Sequence, residues 1–191
     1  MKLRESGMPD EHAWEGFFDA EEVLMRLDFG SGIIDAVDYG CGYGTFSIPA
    51  AKRIRGLLHA FDIDPDMLDR CRKQARSEGL ANLRIVERDL FHDGTGLPDR
   101  SIDYVLLFNI LHAEEPLCLL RECRRILRDG TRVGVLHWRS DIPTPRGPDL
   151  SIRPRPGQIR DWAREAGLTP GNTVKTIGAY HFGMILEKRN D

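Results

Sequence analysis

The sequence has little cysteine, little net charge and no long apolar run. No stretch approaches the roughly 20 apolar residues that a membrane-spanning helix needs, and no apolar secretory core follows the polar first residues 1–7. The formal net charge of −3 gives the chain no overall attraction to nucleic acid or to anionic membranes. These absences predict a cytoplasmic protein that does not contact a membrane, and they argue against a nucleic-acid partner.

The four cysteines are too scattered for a metal site or a redox pair. They are Cys41, Cys71, Cys118 and Cys123, and none forms a C-x-x-C pair or a Cys/His group with zinc-ligand spacing. We therefore predict free thiols and no bound metal. Apolar residues make up 41% of the chain and charged residues 30%, as in ordinary globular proteins. The 191 residues suit one domain spanning 1–191.

Short runs of β-branched and aromatic residues alternate with amphipathic stretches. Such alternation predicts a parallel sheet covered by helices on both faces. In this prediction, Asp129-Gly130 ends the last of the central helices. The predicted strands are 33–39, 57–62, 83–87, 102–108 and 132–138, and the predicted helices are 46–55, 66–78 and 116–128.

Both ends of the chain depart from this alternation. Residues 139–156 are rich in proline and arginine, so they predict an ordered loop rather than a helix or central strand. A helix over 157–166 follows, and then two strands, 172–177 and 180–188, separated by Gly178-Ala179 with hairpin spacing. An amphipathic helix over 11–27, carrying Trp14, Phe17 and Phe18, is predicted to form an N-terminal cap of about 30 residues.

The predicted fold class is α/β, a doubly wound, mostly parallel, seven-stranded Rossmann-like sheet with a C-terminal antiparallel hairpin and an N-terminal helix.

A glycine-rich turn follows the first predicted strand. The segment 38–44 reads Asp-Tyr-Gly-Cys-Gly-Tyr-Gly, and glycines there allow a ligand to approach the main chain closely. The dinucleotide fingerprint G-x-G-x-x-G would need its third glycine at position 45, which is Thr45, whereas the glycine comes one residue earlier at Gly44. The acidic Asp38 would repel a pyrophosphate and attract an ammonium group. The turn thus favours a ligand with an ammonium over a dinucleotide.

With this D-x-G-C-G-x-G segment, the chain resembles the class I S-adenosylmethionine-dependent methyltransferases over roughly residues 33 to 188. The resemblance implies that S-adenosylmethionine is bound as methyl donor and released as S-adenosylhomocysteine. It further implies donor-binding roles for Asp38, Gly40, Cys41, Gly42 and Gly44.

Acidic residues at the ends of the next two strands complete the predicted donor site. Asp62, with Ile63 beside it, lies about twenty residues past the glycine turn, where doubly wound folds place a ribose-binding acid. Asp64 is the competing acid, but its position before Pro65 suits a helix N-cap. The resemblance implies that Asp89 and Leu90 contact the adenine, although Asp89 alone would also suit a turn.

Asn109, at the end of the fourth predicted strand, is expected to face the methionine end of the donor or the acceptor. Relatives that methylate amide or base nitrogens carry two prolines after this asparagine, and this chain has Ile110 and Leu111. The departure argues against a nucleic-acid or protein-amide nitrogen as acceptor. A small-molecule acceptor is the prediction that remains.

The acceptor side is predicted from residues at and after the fifth strand. Trp138, Arg146 and Arg153 could hold an anionic acceptor, or the arginines could pair with Asp141 and Asp149 in a solvated loop. An acceptor of high pKa would also need a base, and this catalytic role has three candidates. They are His112, for which helix capping is the alternative, His137 and His181.

The sequence therefore predicts transfer of a methyl group from S-adenosylmethionine to an unidentified small molecule. Two alternatives stay open at this point. One is a nucleotide-cofactor oxidoreductase with an irregular glycine turn. The other is a module that binds S-adenosylmethionine without turning it over.

Overall fold

The computed structural model describes residues 19–190 and builds them around one eight-stranded sheet. Trp14, Phe17 and Phe18 lie outside the described residues. The strands are β1 (Ala36–Tyr39), β2 (Leu58–Asp62), β3 (Leu83–Glu87), β4 (Ile102–Phe108), β5 (Leu127–Trp138), β6 (Thr169–Pro170), β7 (Lys175–Ile177) and β8 (His181–Glu187). The helices are α1 (Ala20–Arg26), α2 (Ser47–Arg53), α3 (Pro65–Ser77), α4 (Leu90–Asp93), α5 (Pro116–Ile126) and α6 (Pro156–Glu165), with a 3₁₀ turn at Leu150–Ile152.

The strand order is β3-β2-β1-β4-β5-β8-β6, and β7 pairs with β8. The five strands from β3 to β5 run parallel, whereas β8 runs antiparallel to β5, β6 and β7. The predicted fold class is confirmed, and the eighth strand is the two-residue β6. Because the chain returns from β3 to place β4 beside β1, the order reverses between β1 and β4. Ligands of such sheets bind at the carboxyl ends of the strands at this reversal.

Each face of the sheet carries its own apolar core, as a doubly wound fold requires. One core joins Val37 and Leu107 of the strands to α5 and α6. The other joins Ala36 and Leu106 to α1, α2 and α3. Neighbouring strand residues enter opposite cores because side chains alternate along a strand.

The helix boundaries inferred around α3 are confirmed. Asp64 has extended backbone angles, and its side chain accepts a hydrogen bond from the Asp66 N–H, so it is the N-cap. Pro65 occupies the first turn. Gly79 follows the last turn with a left-handed φ of 66°.

Two predicted helix boundaries are wrong. Helix α5 ends at Ile126 rather than at Asp129-Gly130, because Leu127 is already extended and pairs with Ile102 of β4. The N-terminal helix does not run unbroken over 11–27, because Asp19 is an extended N-cap whose side chain accepts from the Glu21 and Glu22 N–H groups. Helix α1 therefore starts at Ala20.

None of the helices over residues 19–190 combines the length and the apolar character needed to cross a membrane.

We expect Gly44→Ala to lower the free energy of unfolding by about 2–4 kcal/mol, because strain and overpacking add there. Its φ is 99°, and an added Cβ would lie 2.8 Å from the Cys71 Sγ and 3.2 Å from the Ile48 Cγ1. Gly79→Ala is the matched control, since its φ is also left-handed at 66° but nothing lies within 4 Å of the added Cβ. The control should lose only about 1 kcal/mol. Urea unfolding measures both losses, and equal losses would contradict the packing argument.

Candidate functional site

The glycine turn after β1 is held in a left-handed conformation against the end of β2. The φ angles of Gly40, Gly42 and Gly44 are 72°, 53° and 99°, a region that side chains other than glycine enter at a cost. The N–H groups of Gly40 and Cys41 both donate to the Phe61 carbonyl at 2.9 Å. Gly40 is exposed, so the turn presents main chain at the carboxyl edge of the sheet.

Two of the predicted donor-binding residues pack inward. Gly44 is buried, and the space a Cβ would need there is taken by the Cys71 side chain of α3. Cys41 contributes its side chain to the core below the turn. Contact of Cys41 with a ligand therefore stays a prediction, while Gly44 serves the approach of α3.

Asp38 is a buried carboxylate beneath the turn. Its side chain is 2% exposed and accepts a hydrogen bond from the Ser47 Oγ at 2.5 Å. Burial raises the pKa of Asp38 to about 7, the Ser47 hydrogen bond opposes this, and the nearby Asp62 charge adds to it. A cation placed against this carboxyl would favour the ionised form. Ser47 was missed by the sequence reasoning, since a serine at the first position of a helix ordinarily suggests only capping.

Asp64 is the helix N-cap expected of it, and the Asp62 side chain lies against the glycine turn. The Asp62 Oδ2 accepts from the Gly42 N–H at 2.8 Å, and its Oδ1 accepts from the Asp64 N–H at 3.0 Å. Each carboxylate oxygen keeps a further lone pair that a ribose hydroxyl could use. Ile63, half-buried, lies between the two acids. Asp62 thus faces the turn, while Asp64 caps α3.

Asp89, at the end of β3, is an N-cap in this structure. Its Oδ1 accepts from the Phe91 N–H at 3.0 Å and from the His92 N–H at 3.3 Å, so it starts the one-turn helix α4. Leu90 is buried in the core beside α5. The turn-forming alternative for Asp89 is thus present, and its contact with an adenine, like that of Leu90, stays a prediction.

The buried side-chain amide of Asn109 is the observation that most strongly indicates a ligand. Its φ is 53°, and its N–H donates to the Leu136 carbonyl at 2.8 Å, which fixes it beside the end of β5. Both polar atoms of its side-chain amide are buried and have no hydrogen-bond partner within residues 19–190. A buried polar atom without a partner costs about 1–3 kcal/mol, and a bound polar ligand would remove this cost. The residues around the turn therefore fit a ligand that carries an ammonium, hydroxyls and further polar groups.

The three candidate histidines do not form one cluster, because they divide between the two faces of β5. The Trp138 ring lies 4.1 Å from the His181 ring and packs with Tyr43 of the glycine turn. On the other face, the His137 ring lies 5.6 Å from the ring of His112. Trp138 and His181 are therefore the pair next to the donor-binding turn.

Burial lowers the pKa of His137 to about 3, and burial also lowers the pKa of His181 to about 3. Both rings are thus neutral near pH 7. His112 is half-buried at the edge of the site. Among residues 19–190, no group of three or more His, Cys, Asp or Glu side chains is arranged to bind a metal.

The arginines of the proline-rich loop differ from one another. Arg153 points inward and is 7% exposed, and it donates to the carbonyl oxygens of Pro148 at 2.8 Å and Arg139 at 3.0 Å. Its guanidinium lies 5.6 Å from the centre of the Trp138 ring. The Arg146 side chain is exposed. Arg153 thus holds the loop over Trp138, and an acceptor could reach its guanidinium only by replacing loop carbonyls.

Within residues 19–190, the alternative reading of the loop, a solvated segment with internal ion pairs, applies to Arg139. Arg139 pairs with Asp141 at 2.8 Å. Asp149 instead accepts from the Ser151 N–H and starts the 3₁₀ turn.

Known proteins resemble this chain in sequence and in fold. A sequence profile described as a methyltransferase domain matches residues 36–130, which include β1 to β4 and the glycine turn. The aklanonic acid methyltransferase DauC of Streptomyces sp. strain C5 is 32% identical over 100 residues, covering 51% of this chain and 44% of that protein. The chain belongs to the class I S-adenosylmethionine-dependent methyltransferases.

Other matched proteins agree with this family. A ribosomal protein L11 methyltransferase from Methylococcus capsulatus is 30% identical over 177 residues, covering 78% of this chain and 58% of that protein. The chain thus spans about half the length of the curated relatives it matches. The crystal structure of a SAM dependent methyltransferase from Aquifex aeolicus superposes with a TM-score of 0.82 over 93% of both chains, and its 23% identity supports the fold alone.

We expect Asp62→Ala to weaken binding of S-adenosylhomocysteine by about 2–4 kcal/mol, roughly 30- to 1000-fold, because two ribose hydroxyls and the Gly42 N–H would lose a charged acceptor. Asp64→Ala should leave the affinity nearly unchanged and cost about 1 kcal/mol of stability through the lost cap. Calorimetry and urea unfolding distinguish the two variants. The reverse assignment of effects would show that Asp64 is the ribose ligand.

The pKa of Asp38 predicts a pH-dependent affinity for S-adenosylhomocysteine. Below pH 7 the carboxyl must release a proton before it can face the ligand's ammonium, so affinity should rise about tenfold per pH unit and level off above pH 7. Asp38→Asn should bind more weakly, with an affinity that does not change between pH 5.5 and 7. Calorimetry in two buffers of different ionisation enthalpy at pH 6 measures the released proton. Binding of the wild type without proton release would contradict the assignment.

Proposed function

We propose that this domain transfers a methyl group from S-adenosylmethionine to a small-molecule acceptor at the carboxyl edge of the sheet. The observation that carries the proposal is the left-handed glycine turn with one carboxylate beneath it, Asp38, and one bonded to it, Asp62. A bound S-adenosylmethionine supplies a methyl group already activated on a sulfonium. The protein then has to align the reacting atoms and exclude water.

Each donor-side residue would act on a different part of that ligand. Ionised Asp38 would attract the ammonium of the amino-acid end, directly or through water. Asp62 would accept from the ribose hydroxyls while keeping its bond to the Gly42 N–H. The unsatisfied amide of Asn109 would hydrogen-bond a polar group near the methyl or on the acceptor.

The burial of Tyr43 and Trp138 beneath the loop supports a small molecule as methyl acceptor. Tyr43 and Trp138 are both 2% exposed, and Gly147 of the loop lies so close that a Cβ there would be 2.8 Å from the Trp138 ring. An acceptor side that this loop covers would suit a compact ligand better than a protein surface. The matched aklanonic acid methyltransferase has a small molecule in its name, whereas the other matched protein is named for ribosomal protein L11.

Formation of S-adenosylhomocysteine in the presence of candidate acceptors tests the proposal. The panel should contain small hydroxy and carboxylic acid compounds, purified ribosomal protein L11 and duplex DNA, with Asp62→Ala as the control enzyme. Product formed with a small molecule and at least tenfold above the control is the expected result. Methyl transfer to L11 or DNA alone would contradict the small-molecule assignment. Binding without any transfer would favour a module that does not turn over its ligand.

A further inference from the structure

A cavity lies at the amino edge of the sheet, opposite the edge that carries the glycine turn. Its volume is about 320 Å³, which is within the range of small-ligand sites. Its walls come from the residues before β4, the second half of α5, the end of α6 and the residue after β8. The seven residues of β4 separate it from Asn109 by roughly 20 Å. The cavity is therefore distinct from the proposed methyl-transfer site.

Basic side chains make up most of the lining of this cavity. Of the residues within 19–190 that line it, six are charged and five of these are basic, although the whole chain has a net charge of −3. The charged residues are Asp99, Arg100, Arg121, Arg124, Arg125 and Lys188. Because residues three and four apart share one side of a helix, the three arginines of α5 lie together. Such a lining suits an anionic ligand.

The acidic partners of these arginines are exposed. Arg121 pairs with Glu165 at 3.2 Å, and Arg125 pairs with Asp99; the two acidic side chains are 57% and 73% exposed. Exposed ion pairs contribute little to stability. A phosphate, in contrast, can accept two parallel hydrogen bonds from one guanidinium. A phosphate ligand could therefore replace the carboxylates and keep the arginines paired.

Capping of α5 does not explain these arginines. Basic residues near the end of a helix often donate to its last carbonyl groups. Here the Arg125 carbonyl accepts from the Arg100 N–H at 3.0 Å, and the Ile126 carbonyl accepts from the Ser101 N–H at 2.8 Å. Arg124 does donate to a carbonyl, that of Gly167 after α6, at 3.2 Å. The main chain before β4 thus already provides donors for the end of α5.

Lys188 adds a buried positive charge to the cavity. Its side chain is 3% exposed, its Nζ donates to the Leu127 carbonyl at 2.8 Å, and the Nζ lies 3.3 Å from the Asp129 Oδ1. An ammonium carries three protons, so these two contacts leave at least one for a ligand. A buried charge is costly unless its hydrogen bonds are made. An anion in the cavity would supply the missing acceptor.

We propose that this cavity binds a diphosphate group, with Lys188 donating from inside and Arg100 and Arg121 from the rim. Two linked phosphates can reach cations that lie too far apart for a single phosphate. Within residues 19–190 the lining has one apolar side chain, Ala166, so a nucleobase would find no aromatic side chain to stack on. The diphosphate is therefore the recognised part. This inference does not depend on the proposed methyl transfer.

Calorimetry of the full chain with inorganic pyrophosphate at neutral pH tests the proposal. We expect submillimolar binding, and binding of orthophosphate that is about tenfold weaker or more because it reaches fewer cations. Arg121→Gln should weaken pyrophosphate binding about tenfold. Asp99→Asn should tighten it about threefold or more, because an opposing charge leaves the lining.

Arg164→Gln is the matched control for Arg121→Gln. Both arginine side chains are 61% exposed and pair with an exposed carboxylate, but Arg164 lies outside the cavity and pairs with Asp161 at 2.8 Å. The control should leave pyrophosphate binding unchanged. Equal losses in the two variants would show a general effect of surface charge and would overturn the proposal.

Saturating S-adenosylhomocysteine distinguishes this cavity from the glycine turn. Pyrophosphate should bind equally well with and without it, whereas loss of binding in its presence would place pyrophosphate at the turn and overturn the proposal. No pyrophosphate binding at millimolar concentration, or weaker binding by Asp99→Asn, would also overturn it. ATP, measured with S-adenosylhomocysteine bound, identifies the source of the diphosphate: equal affinity indicates a nucleotide and weaker affinity a free ion, and both support the site. Failure of S-adenosylhomocysteine to bind would contradict the proposed function alone.

Discussion

The hydrogen bond between the Gly42 N–H and the Asp62 carboxylate joins the ends of β1 and β2 at the point where the site is built. It is possible only because the turn adopts left-handed angles that glycine tolerates. The same turn brings Tyr43 against Trp138 and allows Gly44 to contact α3. The position of the Asp62 carboxylate, the packing of α3 and the contact between Tyr43 and Trp138 therefore depend on one short segment.

Strand β5 separates two chemical environments because its side chains alternate. Trp138 faces the glycine turn and is covered by the loop that Arg153 holds. His137, one residue earlier, faces the opposite core and contacts His112. This alternation explains why histidines that the sequence does not distinguish differ in their surroundings. The buried Arg153 of the loop has a mainly structural role. Its guanidinium donates to several carbonyl oxygens and so joins distant parts of the loop.

Features set by local chemistry could be predicted from the sequence, and features set by tertiary contacts could not. The N-cap role of Asp64 could be predicted because a proline, which suits the first turn of a helix, follows it. By contrast, Asp129-Gly130 has the composition of a helix stop but lies within β5, because pairing with β4 starts already at Leu127. The carbonyl partners of Arg153 depend on how the loop folds back, which its composition does not show. The buried amide of Asn109 likewise depends on the contact between β4 and β5, which no local pattern reveals.

Competitive calorimetry with S-adenosylhomocysteine and NAD tests the central claim most directly, because both ligands would use the same turn and the same edge of the sheet. The account predicts that S-adenosylhomocysteine binds the wild type with a dissociation constant of roughly micromolar order. It also predicts that millimolar NAD leaves this binding unchanged, since Asp38 repels a pyrophosphate. Binding of NAD with displacement of S-adenosylhomocysteine, or no binding of S-adenosylhomocysteine at millimolar concentration, would contradict it.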